Sequence, residues 1–144
     1  MGKKERILVP LNGSQCAENV IPRVEELAKA KEAGICLLRV ALAHTFPGVD
    51  QTEAQVKVVR EAEEYLHGLE EPLKAKGFDV DTHVRYGNEV EEILDHAAQK
   101  EIDLVAMSTH GYRGVKRLFL GSVAERVIRK TPKPVFLVRC YGSA

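Results

Sequence analysis

Four short runs of the chain are almost wholly apolar: Ile7–Leu11, Ile35–Leu42, Asp103–Ser108 and Pro134–Arg139. Strands read this way when both faces of their sheet are covered, which is the condition of parallel sheets in α/β proteins. A fifth run, Val80–Tyr86, alternates instead, with Val80, Thr82, Val84 and Tyr86 set against Asp81, His83 and Arg85. That pattern suits a strand at a sheet edge, with one side partly solvated.

Helical periodicity fills the intervals. Ser14 is placed to cap a helix reaching about Lys31, with Val20, Val24, Leu27 and Ala28 on one face. From Gln51 to Ala75, Val56, Val59, Ala62, Leu66, Leu69 and Leu73 recur at helical spacing. Asn88 with Glu91, and Ser122 with Glu125, have the spacing of capping boxes; they open helices through Ala97 and Lys130 respectively. Gly34, Gly77 and the Pro132–Pro134 pair are expected to stop helices. The resulting order, β-α-β-α-β-α-β-α-β, predicts an α/β fold: a doubly wound, five-stranded parallel sheet with helices on both faces. A length of 144 residues suits one domain over residues 1–144. It is enough to fold without disulfides or metal.

Charge and hydropathy then remove several classes of partner. Basic and acidic residues number 21 each, so the whole molecule has no electrostatic pull on nucleic acid. No apolar run approaches the roughly 20 residues that span a bilayer. The charged start, Met1 to Arg6, leads into an apolar stretch that is too short for a signal peptide and breaks at Pro10. A cytoplasmic setting without a membrane partner is the expectation. Cys16, Cys36 and Cys140 are scattered and form no Cys-x-x-Cys pair; they read as small buried hydrophobes, with Cys140 expected to be the most exposed.

The segment from Met107 to Ser122 carries the most chemistry. It leaves the end of a buried strand and finishes at a helix start, with Gly111, Gly114 and Gly121 inside it and Arg113, Lys116 and Arg117 beside them. Glycines admit an anion close to backbone amides, and a helix start adds unpaired N–H groups and a positive dipole end. This suits a di- or triphosphate. On the residues alone, an ordinary glycine turn leading to a helix capped by Ser122 explains the segment equally well. Neither Gly-x-x-x-x-Gly-Lys-[Ser/Thr] nor Gly-x-Gly-x-x-Gly occurs, which disfavours P-loop NTPases and dinucleotide dehydrogenases. His44, His67, His83 and His96 lack metal-ligand spacing, so no metal site is expected. No nucleophile, base or acid pair is visible by spacing, and efficient catalysis is not expected.

Thr109-His110-Gly111, then nine residues, then Gly121-Ser122-Val123-Ala124-Glu125-Arg126-Val127, and finally Lys133-Pro134-Val135, resembles the C-terminal pattern of the universal stress proteins. Ile7-Leu8-Val9-Pro10-Leu11-Asn12-Gly13-Ser14 resembles their first strand and turn, and Asp103-Leu104-Val105-Ala106-Met107 their fourth strand. The resemblance implies an adenine nucleotide alpha hydrolase-like sheet with strand order 3-2-1-4-5. It also implies binding of ATP, with magnesium as a possible companion, by a regulatory or stress-response protein with at most slow hydrolysis. Carried over position by position, the phosphate motif falls on Ser108, Gly111, Gly121 and Ser122, with Val123, Gly114 and Arg113 beside it. The adenine and ribose end falls on Pro10, Asn12 and Val40. His110 would meet phosphate or ribose, or simply pack in its loop.

Two positions depart from the family's ATP-binding pattern. Ser108 stands where it has glycine, and Asn12 where it has aspartate. An Asx turn with Gly13 is the alternative role of Asn12. These departures keep open the family's other branch, an interaction module that binds no nucleotide and acts through a protein partner. The apolar last strand, Val135 to Val138, would be a sheet edge in the implied order, and the resemblance points to a homodimer paired through it.

Overall fold

The structure is a computed structural model that describes residues 4–42, 48, 50–110 and 122–140, with only the backbone of His110. The strands are β1 (Arg6–Leu11), β2 (Gly34–Leu42), β3 (Val80–Gly87), β4 (Leu104–His110) and β5 (Val135–Cys140). The helices are α1 (Gln15–Glu18), α2 (Ile21–Lys31), α3 (Gln51–Ala75), α4 (Glu89–Ala97) and α5 (Ser122–Lys130). All the strand pairings are parallel, and the sheet order is β3-β2-β1-β4-β5. Both the doubly wound architecture and the expected order are therefore observed.

Burial follows the sequence patterns. β1 and β2 are buried along nearly their whole length, whereas β3 at one edge and β5 at the other are mostly half-exposed. One core layer joins Ile7, Val9, Leu11, Ile35 and Leu37 to Val24 and Ala28 of α2 and to Leu66 and Leu73 of α3. On the opposite face Leu8, Cys36, Leu38 and Val40 pack against Val90, Ile93 and Ala97 of α4 and Ala124 and Val127 of α5. Side chains that alternate along a strand thus meet helices on both sides of the sheet.

Local chemistry sets the element ends. The Ser14 hydroxyl accepts from the Ala17 N–H at 3.0 Å, the Asp50 carboxylate from Thr52 N–H at 2.9 Å, and the Asn88 side chain from Glu91 N–H at 3.0 Å. Each satisfies an amide with no partner in the first helical turn. The single helix expected from Ser14 to Lys31 is instead two, α1 and α2, with Pro22 in the first turn of α2. Pro22 has no N–H to give the Glu18 carbonyl, and its ring crowds that carbonyl, which disfavours one continuous helix here.

Two further expectations need correction. Gly34 does not stop α2: Glu32 ends it in the left-handed conformation (φ 55°), and Gly34 is already in β2. Gly77, with φ 95°, does follow α3 as expected. Cys140 is buried rather than exposed, at 6%. It closes β5 in register with His110, on the same side as Phe136 and Val138, which pack on the α2–α3 core layer. Within residues 44–52 only 48 and 50–52 are described, and Gln51 and Thr52 already belong to α3.

Candidate functional site

β1 pairs with β2 from Arg6 to Leu11, but with β4 only at Ile7↔Leu104 and Leu8↔Val105. Pro10 has no N–H to add to a ladder, and it stands where the β1–β4 pairing has ended. Beyond that point the two strands diverge. They do so where the connections reverse direction: β1 leads out to β2 and β3, and β4 leads the other way to β5. Open α/β sheets bind ligands at such a switch point, outside the carboxyl ends of the strands.

A cleft of about 190 Å³ occupies this place. Pro10 and Asn12 from the end of β1, Met107, Ser108 and Thr109 from β4, and Ser122 and Val123 from the start of α5 line it. Five of the residues singled out from the sequence (Pro10, Asn12, Ser108, Ser122 and Val123) therefore share one cleft. Val40 does not line it; it lies in the core layer beneath α4. Gly111, Arg113, Gly114 and Gly121, with Lys116 and Arg117, lie outside the described residues, as does the side chain of His110.

The turn from β1 to α1 is tightly built. The Asn12 Oδ1 accepts from both the N–H (3.0 Å) and the hydroxyl (2.6 Å) of Ser14. This is an Asx turn, and it leaves the Asn12 amide N–H₂ as the group's unused donor within the turn. Gly13 has φ 87°, and a Cβ there would lie 3.0 Å from the Arg39 guanidinium. A side chain at position 13 would be both strained and crowded. Arg39 in turn stacks over Tyr65, whose hydroxyl donates to Glu18 at 2.6 Å.

Ser108 uses its hydroxyl to hold α1: it donates to the Ala17 carbonyl at 3.3 Å. Ser108→Gly is expected to cost about 1 kcal/mol, from the lost bond and the added backbone freedom. An unchanged urea midpoint would show that the bond contributes nothing.

Sequence reasoning missed Glu89, Ile93, Cys16, Ala17 and Thr109, all of which line the cleft. Burial raises the Glu89 carboxyl above its usual value, opposed by the charge of Arg39. Burial and the adjoining Cys140 thiol push Cys16 up to about 12, making it a poor nucleophile. The buried Thr109 hydroxyl meets no hydrogen-bond partner among the described residues. Such an oxygen is costly to leave unpaired. The only hint in the sequence was its place in Thr109-His110-Gly111.

Fold and cleft together define a doubly wound α/β protein with a cleft of mixed polar and apolar lining at its switch point. Residues 4–139 match the profile of the Universal stress protein family, and the chain belongs to that family. It is 28% identical to universal stress protein MJ0577 of Methanocaldococcus jannaschii over 96% of this chain and 97% of that one. The solved structure of MJ0577 superposes with a TM-score of 0.82, covering 96% of this chain and 98% of its own. Universal stress protein YxiE of Bacillus subtilis is 27% identical over 93% of this chain and 98% of its own. The universal stress protein of Archaeoglobus fulgidus solved in complex with dAMP has the same fold, with a TM-score of 0.67, 21% identity, and coverage of 95% of this chain and 98% of its own. Among the described residues, no helix is long and apolar enough to cross a membrane.

Proposed function

We propose that the chain binds an adenine nucleotide, ATP by its motif, and acts as a nucleotide-dependent regulatory or stress-response protein. The observation that carries this reading is the cleft at the β1–β4 switch point, with Asn12, Ser108 and the start of α5 in its wall. The first amides of α5 and the Ser122 hydroxyl suit phosphate oxygens. Gly111, Gly114, Gly121 and Arg113 complete that end by their motif positions, with His110 and Val123 alongside. Glu89 repels phosphate and accepts bonds from hydroxyls, so the sugar belongs on its side, with Pro10, the Asn12 amide and, by family position, Val40. Magnesium would be held mainly by phosphate oxygens and water, because Asn12 supplies no carboxylate. The nucleotide acts as a signal, with at most slow hydrolysis, in a cytoplasmic protein of one domain over residues 1–144. That a family member is solved with dAMP supports the nucleotide class.

Calorimetry with MgATP tests the reading. A one-to-one binding heat is expected, together with a rise in melting temperature. Gly121→Val, which puts a side chain at the motif's third glycine, should abolish both. Absence of heat and thermal shift in the unaltered protein would overturn the proposal.

A second reading, an interaction module that binds no nucleotide, is favoured by two contacts: Asn12 Oδ1 is taken up by Ser14, and the Ser108 hydroxyl by Ala17. Such a protein would purify without nucleotide and capture its partner regardless of ATP. Either reading accommodates a homodimer through Val135 to Val138, half-buried residues on an edge strand. Light scattering giving a monomer mass at micromolar concentration would exclude the dimer.

A further inference from the structure

At the other end of the sheet from the cleft, Cys36 of β2, His83 of β3 and His96 of α4 come together. Each offers a ligand atom, and these atoms all lie within 4.8 Å of one another. The strand register explains the meeting. Leu38 pairs with His83, so Cys36 and His83 share one face, and α4 lies across it with its last turn above them. We propose that Cys36, His83 and His96 bind a borderline-soft transition-metal ion of the Zn²⁺ class, with water in the fourth position.

The geometry fits a tetrahedral ion. With metal–sulfur and metal–nitrogen bonds of about 2.3 and 2.0–2.1 Å, the sulfur–nitrogen edge of the tetrahedron is about 3.6 Å and the nitrogen–nitrogen edge about 3.3 Å. Cys36 Sγ and His96 Nε2, both on buried residues, already stand 3.6 Å apart. His83 is exposed and closes the remaining distance by turning about its side-chain bonds, a shift of about 1 Å toward the edge lengths above. Thiolate with two imidazoles is a donor set for zinc or copper rather than for magnesium or calcium.

The surroundings supply what such a site needs. His83 Nε2 lies 2.6 Å from the Asp81 carboxylate, which orients the ring and leaves Nδ1 for the ion. Asp81 is itself paired with Arg6. An open depression, lined in part by Gln99 and Glu101, gives the ion an entry and leaves room for water. Loading requires proton movements that can be written out. Arg85 Nε donates to His96 Nδ1 at 2.9 Å, so the metal-free ring carries its proton on Nε2. On loading, that proton is exchanged through solvent to Nδ1 and the Cys36 thiol proton leaves to water; the Arg85 Nε–H then has to swing off the protonated Nδ1, breaking that hydrogen bond, while Arg85 keeps Glu92 and Asp95 through Nη1.

Titration of the reduced full-length protein with Co²⁺ tests the site. One equivalent should give a thiolate-to-cobalt absorption band, which Zn²⁺ should bleach. Cys36→Ser should lose the band, and Cys16→Ser/Cys140→Ser should keep it. Because Cys36 is buried, His83→Ala at the exposed ligand serves as the variant that spares the core, and it should lose the tetrahedral spectrum. Asp81→Asn should weaken Zn²⁺ binding roughly 10–100-fold, as loss of an outer-shell partner does. No band in the unaltered protein, or a band that survives in Cys36→Ser and vanishes in Cys16→Ser/Cys140→Ser, would overturn the proposal.

Discussion

Replacing Leu37 by alanine is expected to remove about 3–4 kcal/mol of folding stability, the range of a large-to-small change at a site that cannot collapse. Leu37 is fully buried in β2, between Val9 of β1 and Thr82 of β3 in register. Its side chain belongs to the layer formed with α2 and α3. Neighbours held by strand ladders on two sides cannot move in to fill the space, so the cavity remains. Against a whole-domain stability of roughly 5–15 kcal/mol, this is a large fraction. Urea unfolding should show a lower midpoint at unchanged slope. Leu42→Ala, at the exposed end of the same strand, should stay within about 0.5 kcal/mol of the unaltered protein. A loss below about 1 kcal/mol at Leu37 would mean that the layer relaxes around the cavity, contrary to the rigidity argued from its ladders.

Acidification is expected to destabilise the metal-free protein through His96. Burial, then the nearby charges of His83 and Arg85, lower its pKa from 6.5 to about 4, while Asp95 and Glu101 pull weakly the other way. The sign follows from which state takes up the proton first. Between pH 6.5 and 4 the unfolded chain binds it and the folded chain does not, so stability falls as pH falls through that window. The loss is complete below the folded value. The full shift corresponds to about 3 kcal/mol. Water in the depression beside the ring reduces this, and we expect about 2 kcal/mol. His83, lowered mainly by burial, acts in the same direction. Unfolding free energies measured from pH 7.5 to 4 in the presence of a chelator should fall more steeply for the unaltered protein than for His96→Gln. Equal slopes would remove His96 from the acid response.

The periodicity of this chain was enough to place every strand and most helix ends, because apolar runs and caps act within a few residues of their own position. Ile7–Leu11 and Ile35–Leu42 read as strands covered on both faces, and Ser14 and Asn88 carry their capping oxygens with them. Pro22 was equally visible, yet the helical pattern of Val20, Val24 and Leu27 masked its effect. The missing N–H matters only once the Glu18 carbonyl needs a partner.

The cleft was legible as far as motif positions reach. Pro10, Asn12, Ser108, Ser122 and Val123 were named from the resemblance to the universal stress proteins and line one cleft. Glu89, Ala17 and Thr109 gave no comparable signal. They line the cleft because the sheet order puts β1 beside β4, lays α4 and α5 over one face and lets α1 begin at the other. Cys36, His83 and His96 show the same division more sharply. Nothing in their spacing suggests a shared ligand; the Leu38–His83 register and the direction of α4 bring them together. Secondary structure and caps were determined locally by the sequence itself, through side-chain period and backbone hydrogen bonding. Which polar groups face one another was decided by strand order and register, because those contacts join residues far apart in the chain and exist only when the two cores have closed around the sheet.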